Sequence, residues 1–241
     1  MATKIEWATE TWNPVTGCTP ISEGCQNCYA KRMSNRLKGR CGYLKDDPFQ
    51  VTMHPNRLDE PLRWRKPRRV FVCSMGDLFH PDVPEIEILK IFGVMAETPQ
   101  HAYMVLTKRP KRMKEVLTSP TVANDVWLMT SRGCTAEPSP WPLPNVWLGV
   151  TAENQARADE RIPILLQIPA AVRSVSVEPM LGPVSLLRWL PWDTFRKGLP
   201  GWELNPDYRQ GLHWVICGGE TGRGAWPMPP EWVRRDRKSV V

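Results

Sequence analysis

Gly17–Ala30 reads Gly-Cys-Thr-Pro-Ile-Ser-Glu-Gly-Cys-Gln-Asn-Cys-Tyr-Ala. It sets Cys18, Cys25 and Cys28 within eleven residues, at the spacing C-x6-C-x2-C. Three thiols on one short loop can reach a common point. A structural zinc site closes with four ligands, and disulfides need pairs. Three thiolates fit a metal centre that keeps one position open for another molecule.

The flanks place this loop. Ile5–Asn13 is rich in Trp and Thr and reads as a first strand, which Pro14–Gly17 ends. From Cys28 to about Lys38 the pattern is helical, with Tyr29, Met33 and Leu37 as its apolar stripe, and Gly39 is its stop. The cysteine loop therefore links a strand end to a helix start, where free backbone N–H groups favour negative charge. Two readings of the loop stand side by side. One is a [4Fe–4S] cluster on three thiolates, its fourth iron bound by a non-protein ligand. The other is a structural zinc site completed by Cys41 or His54, in a non-catalytic nucleic-acid-binding protein.

Downstream, the same alternation of elements recurs. Arg69–Met75, Ala102–Thr107, Asn145–Thr151, Arg173–Val177 and His213–Cys217 are short β-branched or aromatic runs. Between them, Pro84–Glu97, Lys111–Leu117 and Glu153–Ile162 carry helical periodicity, with a kink or restart expected at Pro163. Residues 40–68 and Ser119–Pro144 read as irregular Pro- and Trp-rich excursions. Alternating strands and helices imply parallel βαβ units in an α/β fold. Each strand ends in polar residues, namely the cysteine loop, Asp77, Lys108-Arg109, Glu153-Asn154, Glu178 and Glu220. One polar mouth over an apolar barrel is the economical arrangement.

The chain's 241 residues suit one domain spanning 1–241, and its 41% hydrophobic content supplies a core. A net charge of +7 is compatible with a polyanionic partner, and equally with ordinary solvated faces. The 12 Trp add flat surfaces that can pack or stack on bases. No run is long enough to span a bilayer, and Met1–Thr11 has no apolar signal region. A cytoplasmic chain is expected, with seven cysteines serving metal or redox roles rather than disulfides.

A set of phrases carries a resemblance. Trp12-Asn13-Pro14 leads to Gly17-Cys18 and Gly24-Cys25-Gln26-Asn27-Cys28-Tyr29-Ala30. Asp77-Leu78-Phe79-His80, Leu106-Thr107-Lys108-Arg109-Pro110, Asn145–Thr151, Ser176-Val177-Glu178-Pro179 and Gly218-Gly219-Glu220 follow. Together they resemble the radical SAM superfamily, and within it a phage- and prophage-borne three-cysteine branch described as phage protein of unknown function. The resemblance implies a partial TIM-type (β/α)6 barrel. It also implies a [4Fe–4S] cluster on Cys18, Cys25 and Cys28, S-adenosylmethionine on the open iron, and an external electron donor. Reductive cleavage of S-adenosylmethionine would yield a 5′-deoxyadenosyl radical. Phages modify their DNA bases, so the implied substrate is a DNA base or another nucleic acid or nucleotide.

Three departures accompany the resemblance. The superfamily's commonest spacing is C-x3-C-x2-C, and this loop has x6 before Cys25. The aromatic residue usual just before the third cysteine is Asn27 here, with Tyr29 following instead. Relatives in the branch continue past Glu231–Val233 into a further strand, so a shortened C-terminal end is expected.

The remaining expectations concern single residues. Tyr29, Lys108, Glu153 and Asn154 are expected to bind the cofactor, with Lys108 or Arg109 meeting a phosphate or the S-adenosylmethionine carboxylate. Asp77, Glu178 and Glu220 are the catalytic candidates. Asp77 is either a proton-transfer partner of His80 or a turn-capping residue. Cys73 and Cys217 lie in apolar runs and are expected as core thiols, while Cys41 and Cys134 have no assigned role.

Overall fold

The structure, a computed structural model, describes residues 5–130, 140–190, 211–221 and 224–232. Cys134 lies outside them. Strand β1 (Glu10–Trp12) and strand β2 (Val15–Thr16) precede the cysteine loop, and helix α1 (Tyr29–Arg36) follows it. The excursion after α1 holds β3 (Thr52–Met53), α2 (Pro55–Leu58) and a 3-10 turn at Glu60–Arg63. Then come β4 (Arg69–Val72), α3 (Glu85–Glu97), β5 (Ala102–Thr107), α4 (Pro110–Leu117) and α5 (Val122–Leu128). The chain continues through β6 (Val146–Thr151), α6 (Gln155–Leu165), β7 (Val172–Val177) and β8 (Trp214–Cys217).

Six strands form one parallel sheet in the order β1-β4-β5-β6-β7-β8, while β2 and β3 pair separately and antiparallel. Chain order equals sheet order, so every crossover moves the same way and no reversal divides the sheet. All six carboxyl ends consequently lie along one edge.

The pairing register sorts side chains between the two faces. Val70, Val72, Tyr103, Val105, Leu148, Val150, Val175 and Val177 share one face. They join a single core with Ile88, Phe92 and Met95 of α3, Met113 and Leu117 of α4, and Ile162 and Leu165 of α6. The other face carries Phe71, Met104, Trp147 and Trp214, none of which joins that core. There Trp7, just ahead of β1, lies 4.7 Å from Phe71 and 6.0 Å from Trp214 between ring centroids, and Trp214 lies 5.3 Å from Trp147. A residue beside β1 thus touches β8, although these strands form opposite ends of the sheet order.

Four local expectations are corrected. Only the Glu10–Trp12 part of Ile5–Asn13 is strand, because Glu10 to Trp12 is the segment that pairs with β4. Ser119–Pro144 contains α5, whose Val122 and Val126 stand one turn apart and are buried; α5 lies so close to α3 that Gly93 has only 2.9 Å from a would-be Cβ to the Met129 carbonyl. Helix α6 runs through Pro163, whose carbonyl accepts the Gln167 side-chain amide at 2.8 Å. In α1 the buried residues are Ala30 and Ser34, leaving Tyr29 at 50% and Met33 at 41% exposure. An eight-residue helix lying close to the loop buries its small side, not its bulky one.

The four histidines all titrate below their ordinary range, with burial the leading cause. His54 is the extreme, lowered to about 4 by burial and by the Arg57 guanidinium. In the unfolded chain these rings bind protons near pH 6.5, so between that value and the folded pKa the unfolded state holds more protons. Stability is therefore full above pH 6.5 and falls as the pH drops toward 4. Melting temperatures measured from pH 7.5 to 5 should decline, and less steeply for His54→Asn; equal slopes for the two proteins would refute this origin.

Candidate metal centre at the carboxyl ends of the strands

Backbone contacts seat the cysteine loop on the sheet edge. Gly17 extends the pairing of β1 with β4 through a parallel bridge to Gly76, and its N–H donates to the Met75 carbonyl at 2.9 Å. Gly17 holds φ +86°, and a Cβ there would overlap the carbonyl oxygen of Gln50. Gly76 would in turn bring a Cβ to 2.8 Å from the Gly17 carbonyl oxygen. Only glycine meets both demands at Gly17. Gly17→Ala should destabilise the fold by about 1–3 kcal/mol, read by urea unfolding; a loss below about 0.5 kcal/mol, the usual range of a surface substitution, would show that the loop is not so constrained.

Arg109, just past β5 at the start of α4, ties the loop down. Its guanidinium donates to Asp77 Oδ2 at 3.0 Å, to Cys18 Sγ at 3.3 Å and to the Thr19 carbonyl at 2.9 Å. Thr19 Oγ1 also lies 2.8 Å from His80 Nε2. Asp77 Oδ1 accepts from Thr107 Oγ1 at 2.7 Å and from the Phe79 N–H at 3.0 Å. Asp77 Oδ2 takes the Lys108 N–H at 3.2 Å. The expected Asp77–His80 proton-transfer pair is absent, since only the His80 N–H to Asp77 carbonyl bond, 3.1 Å, joins these residues. Asp77 is instead the buried anchor of Arg109, and Arg109 is consumed in structure rather than open to a phosphate.

The second half of the loop meets β6, β7 and β8. Gly24 packs against Glu153, at 3.2 Å from a would-be Cβ to the Glu153 carboxyl carbon. Glu23 and Arg157 of α6 form a two-pronged bond at 3.1 Å for each oxygen. Glu153 is fully buried; Oε2 accepts from Arg161 at 2.9 Å, whereas Oε1 has no hydrogen-bond partner. Burial raises its pKa, but the charges of Arg161 and Lys108 and the nearby Ser22 hydroxyl outweigh that and hold it below the carboxylate range. Asn154 Oδ1 accepts the Arg157 N–H at 3.0 Å and caps α6, a structural role beside the cofactor-binding one expected of it.

Glu178 follows β7. Its Oε2 accepts from Ser176 at 3.3 Å, and Oε1 occupies the space a Cβ on Gly218 would fill. Burial raises the Glu178 carboxyl, with the Ser176 hydroxyl opposing. Glu220 Oε2 accepts both the Asn27 side-chain amide and the Trp226 backbone N–H, each at 3.0 Å. The Tyr29 hydroxyl donates to the Ser74 carbonyl. Asp77 (through Arg109), Glu153 and Glu220 thereby meet the Gly17–Ala30 loop, and the Glu178 charge acts on Tyr29 at its end.

Cys18, Cys25 and Cys28 are free thiols, and each is half-buried. Burial pushes Cys18 up to about 11, Asp77 adding to this and Arg109 opposing it. Burial also opposes the Cys25 thiolate, but backbone hydrogen bonds at Ile21 and Ser22 and the Lys108 charge outweigh it and lower its pKa. Cys28 is the N-cap residue of α1 and makes no side-chain capping bond, which leaves its sulfur for another partner. Cys73 is a buried core thiol, while Cys217 is only partly buried. His54 Nε2 is engaged by Thr16 Oγ1 at 2.8 Å, and Cys41 is exposed. Among the described residues no group of three or more His, Cys, Asp and Glu side chains is already drawn to metal-binding distance.

The donor set nevertheless fits a thiolate-held centre. Its three ligands are soft, the Arg109 and Lys108 charges offset deprotonated sulfurs, and the orphaned Glu153 Oε1 supplies a free polar acceptor beside the loop. The Lys108 ammonium makes no hydrogen bond or ion pair among the described residues. Arg109, Thr19 and Arg161 were not separable in the sequence as positioning residues: each acts on a partner far along the chain or across a turn of helix, with no local pattern to announce it.

Comparison with other proteins adds one result. No curated protein and no solved structure matches the chain. The family described as "Protein of unknown function (DUF5131)" matches residues 2–240, and the chain belongs to that family.

Proposed function

We propose that the protein is a radical SAM enzyme of partial (β/α)6-barrel form. Its Cys18, Cys25 and Cys28 would hold a [4Fe–4S] cluster, and its substrate would be a nucleic-acid base or nucleotide. The observation that carries this reading is three half-buried free cysteines on one loop, faced by Arg109 and Lys108, at the carboxyl edge of a parallel sheet. Barrel curvature is favoured by the unreversed strand order and by the Trp7–Trp214 contact between the two ends of that order. When bound, the cluster and S-adenosylmethionine supply a 5′-deoxyadenosyl radical on one-electron reduction by an external donor.

The chain's own residues do the rest. Arg109 holds Cys18 and Thr19 against Asp77 and, by donating to Cys18 Sγ, favours the thiolate over the thiol. Glu153 Oε1 is free to accept a hydrogen bond from a polar group of the bound ligand, and Lys108 is free to meet an anionic one. Glu178, its carboxyl raised by burial, is the candidate for moving a proton to or from a substrate. Tyr29 is fixed at its hydroxyl and offers a half-exposed ring for packing.

Anaerobic reconstitution with iron, sulfide, S-adenosylmethionine and a reductant, assayed for 5′-deoxyadenosine without added substrate, tests the proposal. Brown protein with iron–sulfur absorbance and product formation is the expected outcome. Colourless protein carrying stoichiometric zinc would replace it with the structural-zinc alternative. For the setting of the reaction, no helix among the described residues is long and apolar enough to cross a membrane.

A further inference from the structure

Helix α1 places Tyr29, Arg32, Met33 and Arg36 at positions i, i+3, i+4 and i+7, which form one side of a helix. That side faces away from the buried Ala30 and Ser34. Tyr29, Met33 and Arg36 are exposed. The Arg32 guanidinium meets the Thr221 carbonyl at 2.7 Å, just beyond β8. Past the helix end, Arg40 reaches back to the Arg36 carbonyl at 2.8 Å, extending the line of cations outward.

The charge of this surface is positive, with Asp46 and Asp47 following it in the chain. Residues 29–45 contain six Lys and Arg and no Asp or Glu. None of the six joins an ion pair among the described residues, whereas Arg63, Arg68, Lys90, Arg109, Arg112, Arg157, Arg161 and Arg188 all do. Near the start of α1 stands Trp226, 68% exposed, its backbone N–H bound to the same Glu220 oxygen that receives the Asn27 amide. The backbone at Trp226, whose indole is exposed, is thus held through one carboxylate to Asn27, the residue preceding Cys28.

We propose that the outward side of α1, continued by Arg40 and flanked by Trp226, docks a single strand of nucleic acid and leads one of its bases to the cysteine loop. The cations follow the phosphates, and Tyr29 and Trp226 offer ring faces for unstacked bases, the combination that binds single strands without sequence preference. A membrane surface would match the charge, and the vesicle arm of the test below separates it from a single strand. The proposal rests on the nucleic-acid substrate assigned above only for where the base is sent. Docking itself is independent of the cluster.

Fluorescence anisotropy with labelled dT20 and rU20 between about 50 and 300 mM salt, against a 20-base-pair duplex and phosphatidylserine vesicles, tests it. Single strands should bind more tightly than either comparator. The combined change Arg36→Ala, Lys38→Ala and Arg40→Ala should flatten the log–log salt slope by about 2, at roughly 0.7 for each phosphate no longer neutralised. If that variant melts early, Arg36→Gln alone replaces it, with an expected flattening of about 0.7. Trp226→Ala should weaken binding about 5- to 100-fold with little change of slope, and Trp226→Phe should restore most of it. Tighter binding to vesicles or duplex, or slopes unchanged in the charge variants, would overturn the proposal. Protein left without reconstituted iron should bind dT20 with the same affinity and slope as the reconstituted form, so a failure of the cluster chemistry leaves this result standing.

Discussion

Cys18→Ala, Cys25→Ala and Cys28→Ala should each abolish iron and sulfide retention on anaerobic reconstitution, and with it all 5′-deoxyadenosine formation. Three protein ligands leave no redundancy: losing one removes a third of the thiolates, and the neighbouring free side chains are hard oxygen or nitrogen donors. Cys73→Ala is the control. Its sulfur is buried in the apolar core, and burial pushes its thiol up to about 12, so it is in no state to serve as a ligand. Iron and sulfide analysis with the visible spectrum reads the outcome directly. Full iron retention in any of the three loop variants would sink the cluster assignment, as would its loss in Cys73→Ala with the fold intact by circular dichroism.

The largest stability effect is expected at Arg161. Its side chain is 2% exposed, and it bonds Glu153 Oε2 at 2.9 Å and the Thr151 carbonyl at 2.7 Å. Arg161→Leu leaves a fully buried carboxylate without its counter-charge, which costs about 3–5 kcal/mol. For a chain of this size that lowers the melting temperature by roughly 6–20 °C. The pH dependence distinguishes charge from packing. In the parent, the Glu153 pKa is depressed, so its contribution is present above the ordinary carboxylate value of 4.5 and is lost as pH falls below it. In Arg161→Leu, burial dominates and raises the Glu153 pKa, so the variant gains relative stability on acidification. Urea unfolding at pH 7 and pH 4.5 should therefore show the gap between the two proteins narrowing at the lower pH. The double change Glu153→Met with Arg161→Leu should recover most of the loss; no recovery would mean that packing, not charge, is decisive.

Much of the fold was legible because its strands are short apolar runs between periodic segments. Ala102–Thr107 is strand from end to end, and the other sheet strands differ from their expected bounds at the ends, most in β1 and β4. The Arg69–Met75 run stops at Val72 because Cys73 turns to φ 53°, a backbone change that its apolar side chain does not signal. Helix α5 was hidden in a stretch whose Pro and Trp content reads as irregular, and it is held by its packing on α3. Helix α1 shows the opposite error. Its apolar stripe was plain in the sequence, but which side is buried depends on what lies beside it, and close approach to the loop selected Ala30 and Ser34.

For the candidate site, spacing alone located Cys18, Cys25 and Cys28 on one loop and put acidic residues at successive strand ends. Partnership was not visible at that level. Asp77 carries both alternatives in the sequence, and its neighbours decided for the capping one: four donors from Thr107, Phe79, Lys108 and Arg109 leave neither oxygen for His80. Arg109 and Lys108 are adjacent in sequence, yet one is spent holding the loop and the other remains open.

By itself, then, the sequence determined that three thiols at C-x6-C-x2-C join a strand end to a helix start in an αβ-alternating chain, because side-chain period and ligand spacing are local properties. Only the tertiary structure decided what surrounds that loop. Arg109 after β5, the half-satisfied Glu153 after β6, the Glu178 charge after β7 and the Glu220–Asn27 bond after β8 act on it across separations of up to 193 residues. They meet because parallel strands laid down in chain order align their carboxyl ends on one edge, a consequence of sheet pairing that no single segment encodes.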